Sequence, residues 1–336
     1  MPVISSTYKA PRLFRNGHLN TIVAALFRKV KGVVYERERM QTGDSDFIDL
    51  DWHRHGNRKL VLLCHGLESS ANEMYMRGLA QAFRKRGWDA VAMNFRGCSG
   101  EPNRQFRSYH SGATDDLHEV LEHIRKRQEY RHLALVGVSL GGNVVLKYVG
   151  EQGEEIASDI VAAAGLSVPC DLKAAALNMA RPINRIYMNR FLKRLKRKIL
   201  EKNAAHPGNL NTSQVHLITD FRGTDDLYTA PAHGFADAED YWAACSSKFF
   251  VEEIAIPALL ITAADDPFFT PACFPFVAAE KKPNFYLEIP EHGGHVGFVT
   301  RNFPEEWWHE TRIAEFIEKC FSERNAFINK TVKNIK

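Results

Sequence analysis

No two of the six cysteines are close enough to form a C-x-x-C pair: Cys64, Cys98, Cys170, Cys245, Cys273 and Cys320 are scattered over 336 residues. That scatter argues against a disulfide framework and a thiolate zinc site, so free buried thiols in a reducing cytosol are expected. Long hydrophobic runs are missing as well. The longest near the N-terminus is TIVAALF, residues 21–27, far short of the roughly 20 residues that span a bilayer. The first residues lack a basic start followed by an apolar core, and Pro2 excludes N-myristoylation. A soluble cytoplasmic protein is therefore expected. Strong charge of one sign is also absent. The net charge of +4 gives no support for nucleic-acid binding. There is no internal repeat and no low-complexity linker.

What the chain does have is core-forming material, 45% hydrophobic against 25% charged residues. Strand-like runs alternate with helix-like ones. Residues 33–39, 47–52, 59–64, 90–94, 132–138, 160–166, 258–262 and 285–289 read as strands. Residues 72–86, with Asn72 as N-cap, 114–127, 142–149 and 304–320 read as helices. This alternation predicts an α/β fold, a mostly parallel central sheet flanked by helices. The pattern lapses over about 168–251, a long helix-leaning segment between two core strands. It is expected to be a helical cap inserted into a single domain covering 1–336.

One strand ends in ALVGVSLGGNVV. Gly137-Val138-Ser139-Leu140-Gly141 fits G-x-S-x-G. A sharp strand-to-helix turn lifts a serine Oγ away from the backbone, and flanking glycines let strand and helix approach without Cβ clashes. The five letters alone are weak; the strand before and the helix after strengthen them. The bland alternative is a tight turn whose serine only caps the helix. A hydroxyl that attacks needs a base, and the base needs a group that fixes its tautomer. Downstream, in that order, lie ITAADDPFF and PEHGGHVGF. Asp266 is favoured as the acid, three residues after Ala263 at the strand end; Asp265 is expected to cap the following turn. His295, followed by apolar VGF, is favoured over His292 as the base. Activity should then rise as pH climbs through about 6–7, because the base must be neutral.

Two histidines without a third ligand do not make a zinc site, and Asp51, His53 and His55, which alternate along a strand, read as surface residues. No metal and no cofactor are expected. The oxyanion requires backbone donors: the N–H of Leu140, after the serine, and that of Leu67, in CHGLESS. In RGCSG, Cys98 and Ser99 lack strand–turn–helix context, and the acids of DDLHEVLEHI read as helix caps.

The ordered series of motifs resembles the α/β-hydrolase superfamily, in particular its YheT-type branch, which includes yeast medium-chain ester synthases and vertebrate lipid hydrolases. NGHLNTI, MNFRGCSGEPNR, YHSGATDDL, GTDDLYTAPAHGFADAEDYW, ADDPF and HGGHVGF carry the likeness across nearly the whole chain. GLESS departs from the branch's Gly-Leu-x-Gly-Ser. The resemblance implies Ser139 as nucleophile, Asp266 as acid and His295 as base, with short- to medium-chain acyl esters or glycerolipids as substrates.

Residues 182–202 carry eight lysines and arginines, the first Arg185 and the last Lys202, against one glutamate. That is +7, which against +4 for the whole chain leaves −3 elsewhere. Ile183, Tyr187, Phe191, Leu195 and Ile199 recur every fourth residue as an apolar stripe. A solvated basic face is the plain reading; attraction to an anionic membrane surface is the sharper one. Equal binding to neutral and anionic vesicles would remove the latter.

The expected activity is a serine carboxylic-ester hydrolase. Acyl transfer to an alcohol through the same intermediate is the near alternative, separable by product analysis with added ethanol. A non-catalytic lipid-binding protein is the distant one, and a complete set of three side chains argues against it.

Overall fold

The computed structural model describes residues 3–301, 303 and 305–335, with side chains as far as Phe327. Among these, nine strands form one sheet: β1 (Val3–Ile4), β2 (Glu36–Gln41), β3 (Phe47–His53), β4 (Lys59–Cys64), β5 (Asp89–Asn94), β6 (His132–Val138), β7 (Ile160–Leu166), β8 (Ala258–Ile261) and β9 (Phe285–Glu288). The order across the sheet is β1-β9-β8-β7-β6-β4-β5-β3-β2. β3 runs antiparallel to β2 and β5, and the other neighbours are parallel. The helices are α1 (Gly17–Phe27), α2 (Met74–Arg84), α3 (Thr114–Lys126), α4 (Leu140–Gln152), α5 (Leu172–Met179), α6 (Arg185–Ala205), α7 (Phe221–Thr224), α8 (Ala230–His233), α9 (Ala238–Cys245), α10 (Phe276–Lys281) and α11 (Trp308–Ile335).

After Lys59, the run LVLLC is apolar on every residue because both faces of β4 are covered. Leu60 and Leu62 point to one side, with Leu117 and Val120 of α3 and Val144 of α4. Val61 and Leu63 point to the other, with Leu79 and Phe83 of α2 and Ile313 and Ile317 of α11. The expected bounds of β4, β6 and β7 match the structure, those of β2, β3, β5, β8 and β9 differ by at most three residues at either end, and β1 was not expected.

Several local expectations need correction. Alternation in β3 suggests a half-exposed strand, yet all seven residues are buried. Asp49 and Asp51 are covered by Arg39 and Arg37 of β2, each pair meeting at 2.8 Å. Asp51 and His53 are therefore interior; His53 Nδ1 lies 3.0 Å from the Val34 carbonyl. Asn72 does not cap α2, whose N-cap is Glu73 with no side-chain bond. The acids opening α3 act as ion partners: Asp116 receives Arg96 at 2.7 Å and Asp115 receives Arg107 at 2.8 Å. α4 starts at Leu140, directly after the serine. For the closing helix, Pro304 lies outside the described residues, and α11 begins at Trp308.

Between β7 and β8 the described chain is helical, from α5 to α9. The buried side chains of α6 are Met188, Leu192, Ile199 and Lys202. A four-residue repeat advances about 40° per step on a 3.6-residue helix, so the expected stripe winds off the buried face. Accordingly Ile183 is exposed, and Tyr187, Phe191 and Leu195 are half-buried. The basic face is not wholly solvated either, since Lys202 is buried with its ammonium 3.0 Å from the Asn103 carbonyl. No described helix is long and apolar enough to cross a membrane.

Candidate active site

Ser139 sits between β6 and α4 with φ of 53°, in the left-handed region that non-glycine residues rarely occupy. Its neighbours explain how the turn is possible. A Cβ on Gly137 would lie 2.2 Å from the Gly141 carbonyl oxygen, and one on Gly141 only 2.3 Å from the Cys64 carbonyl oxygen. Backbone packs directly on backbone there, holding the serine at the carboxyl end of the sheet.

His295 and Asp266 meet Ser139 from two other loops. His295 Nε2 lies 3.1 Å from Ser139 Oγ, and His295 Nδ1 lies 2.9 Å from Asp266 Oδ2. The carboxylate can only accept, so Nδ1–H donates to it and Nε2 is left to accept from the hydroxyl. Asp266 Oδ1 takes the Phe268 N–H at 2.9 Å, so the acid itself caps its turn. Asp265 does not cap it; its Oδ1 receives the Gly294 N–H at 2.8 Å, bracing the loop that carries His295. Burial pushes the Asp265 carboxyl up from its ordinary range. His292 faces Asp265, 3.4 Å away, rather than Ser139. Among the described residues, no cluster of His, Cys, Asp or Glu could hold a metal ion.

The loop after β4 passes against the serine; a Cβ on Gly66 would stand 3.3 Å from Ser139 Cβ. Its polar groups are tied off one by one. Gly66 N–H donates to Tyr75 Oη at 3.0 Å, Glu68 N–H to Tyr109 Oη at 2.7 Å and Ser69 N–H to the Gly66 carbonyl at 3.3 Å. Burial pulls the His65 imidazole down to about 4, so it is neutral. Its Nε2 accepts the Phe95 N–H at 3.1 Å, and its Nδ1–H donates to the Gly66 carbonyl at 2.7 Å. The Gly66–Leu67 peptide is trans, so the Leu67 N–H points away from that carbonyl. It finds no protein acceptor among the described residues. The Leu140 N–H opens α4 and likewise has no carbonyl behind it in the helix.

Residues 59–301 match the family model described as the alpha/beta hydrolase fold. The chain belongs to the α/β-hydrolase family. Within it, the chain falls in the YheT-type branch: it is 38% identical over 321 residues to YheT of Escherichia coli, named as a candidate esterase, with 93% of each chain covered. It is 27% identical to phospholipase ABHD3 of Mus musculus, over 93% of this chain and 78% of that one. Among solved structures, the Pyrococcus furiosus esterase Pf2001 superposes with a TM-score of 0.57 at 17% identity, covering 85% of this chain and 91% of its own; that likeness is one of fold.

In this α/β-hydrolase two cavities meet at Ser139. One, of about 360 Å³, lies under the helical segment and is lined by Met179, Leu195, Ile199, Phe221 and Trp242. The other, of about 450 Å³, opens between α1 and α6, past Ile22, Leu26 and Ile186, and also reaches His295.

Sequence reasoning missed the supports around the imidazole. Phe268 stacks on it with ring centroids 4.1 Å apart, and Phe269 meets it edge-on at 5.3 Å. The Pro-Phe-Phe directly after the acid was a usable signal. NGHLNTI, noted only for its likeness, is a bracket for the His295 loop. Asn16 caps α1, Thr21 Oγ1 accepts the His295 N–H at 2.8 Å, and Asn20 Oδ1 accepts the Val299 N–H at 3.0 Å. Glu68 in GLESS and Tyr109 in YHSGATDDL were likewise quoted without a role, and Tyr75 lay in no motif.

Proposed function

We propose that this protein hydrolyses carboxylic esters through an acyl-enzyme on Ser139. Ser139 Oγ attacks the ester carbonyl carbon while His295 Nε2 takes the hydroxyl proton. Asp266 holds the imidazole in the tautomer that accepts at Nε2 and stabilises the imidazolium that forms. The N–H groups of Leu67 and Leu140 receive the developing oxyanion, such a donor being worth roughly 10²–10³ in rate. Collapse breaks the ester C–O bond, and His295 returns its proton to the leaving alcohol. Water, deprotonated by the same histidine, then releases the acid and restores the serine.

The observation that carries the reading is the unbroken relay from Ser139 Oγ through His295 to Asp266, at 3.1 and 2.9 Å. Support for an ester or lipid substrate comes from the relatives, a candidate esterase and a phospholipase. The apolar lining of the cavity under α6 fits an acyl chain. Residues 168–251 act in this reading as the cap. Its outer face, with Ile183, Ile186, Arg185, Arg190 and Lys193 exposed, suits peripheral contact with an anionic lipid surface. All six cysteines are free, which suits the reducing cytoplasm.

A panel of acyl esters of graded chain length, run beside Ser139→Ala, tests the proposal. Turnover of short or medium chains that falls by at least about 10³-fold in the variant is expected. Undiminished turnover in Ser139→Ala would overturn it.

A further inference from the structure

Helix α6 supplies the most basic stretch of the chain, and two of its cations turn inward onto the loop beside the nucleophile. Lys198 Nζ lies 2.8 Å from Glu68 Oε1, in a pair whose side chains are 22% and 2% exposed. Arg194 Nη1 donates to the Glu68 main-chain carbonyl at 2.5 Å. Tyr109 completes the set, donating to Glu68 Oε1 at 2.9 Å while accepting the Glu68 N–H. Glu68 is itself strained, with φ of 53°. Its N–H, carbonyl and carboxylate are thus all engaged, one residue after the Leu67 N–H. The helix that makes these bonds runs between the two cavities: Phe191 lines both, Lys198 lines the first and Arg194 the second.

We propose that Lys198 and Arg194 are positioning residues, which through Glu68 hold the Leu67 N–H on the developing oxyanion and so make the docked position of α6 the catalytically competent one. The inference rests on the assignment of Leu67 as an oxyanion donor. A buried carboxylate is costly without its cation, and a left-handed φ at a non-glycine residue persists only where its surroundings enforce it. Removing the Lys198 ammonium frees Glu68 to move toward water, and the neighbouring peptide moves with it. Moving α6 away does the same while opening the cavities, so substrate entry and oxyanion stabilisation are coupled through one helix.

Steady-state kinetics on an ester substrate test this with Lys198→Met, Lys198→Arg and, as a cation control away from α6 and both cavities, the exposed Lys126→Met. The expected result is a kcat lowered about 10- to 100-fold in Lys198→Met with KM within about threefold. Lys198→Arg should recover most of kcat, and Lys126→Met should match wild type. Should Lys198→Met not fold, Arg194→Gln decides, with a fall in kcat expected at unchanged KM. Wild-type kcat in a folded Lys198→Met, or in Arg194→Gln where that variant decides, overturns the latch. A wild-type protein without Ser139-dependent turnover overturns the underlying reading instead, so the two failures are distinct.

Discussion

Thr21 and His295 are 274 positions apart, yet the threonine hydroxyl accepts the histidine's main-chain N–H. Its own proton goes to the Gly17 carbonyl at 2.7 Å. The loop it braces is strained, with φ of 56° at Val296 and 45° at Phe298. Thr21→Val keeps the shape and deletes the acceptor. With a hydrogen bond contributing about 1 kcal/mol, kcat should fall roughly 3- to 10-fold, and Thr21→Ser should retain activity. Equal kcat in Thr21→Val and wild type would deny Thr21 this role. Ser139, Asp266 and His295, which the structure brings together, were legible because their types and chain order follow from what the proposed reaction requires. Thr21 and the partners of Glu68 were not, since support for a loop from a distant residue leaves no local pattern, whereas Phe268, two residues after Asp266, was a local signal left unread. Even the choice between Asp265 and Asp266 rested on spacing from a strand end, and the hydrogen bonds now separate the two by what each receives.

Among elements, β6 and α4 were readable as strand and helix because glycines crowd their junction. Gly141 is where that junction also touches the loop after β4: a Cβ there would fall 2.3 Å from the Cys64 carbonyl oxygen and 2.5 Å from that of His65. Both contacts are backbone and cannot rotate away. Gly141→Ala should therefore lower unfolding free energy by about 3 kcal/mol in a denaturant titration. An unchanged midpoint would contradict the close approach. Helix α6 was legible as a helix but not in its orientation. Periodicity identified apolar positions, whereas the partners of Lys198 and Lys202 lie 97 to 130 residues away, at Glu68, Cys98, Asn103 and Gln105. The alternation in β3 misled for the same reason: its aspartates are buried against arginines of the neighbouring strand, and no single strand reveals its neighbour.

At the scale of the whole molecule, buried ionisable groups set the pH response. Burial holds the imidazoles of His65, His110 and His309 down, at about 4, 3 and 3. Each stays neutral in the native state while the unfolded chain takes up a proton near pH 6.5. The stability each contributes is complete above that pH and is lost as pH falls, by about 2 kcal/mol at pH 5. Asp225 and Glu310 pull the other way, because burial raises both carboxyls to about 7, so the native state binds protons there before the unfolded one does. The opposing groups flatten the overall profile, and a single-site difference exposes the effect. Relative to His309→Leu, the wild type should lose about 2 kcal/mol of unfolding free energy between pH 7 and pH 5. Parallel profiles would contradict a buried neutral His309. The parallel α/β architecture was legible at this scale from alternation alone, and the convergence of three loops at the carboxyl end of the sheet followed from it. The two cavities were not, because their walls come from segments that no periodicity links.

The central claim is that Ser139 is an activated nucleophile, and fluorophosphonate labelling measures that most directly. Mass spectrometry of the labelled protein should find one adduct, on the peptide containing Ser139, absent in Ser139→Ala and strongly slowed in His295→Ala. No adduct on the wild-type protein, or an adduct that persists when Ser139 is replaced, would contradict the account.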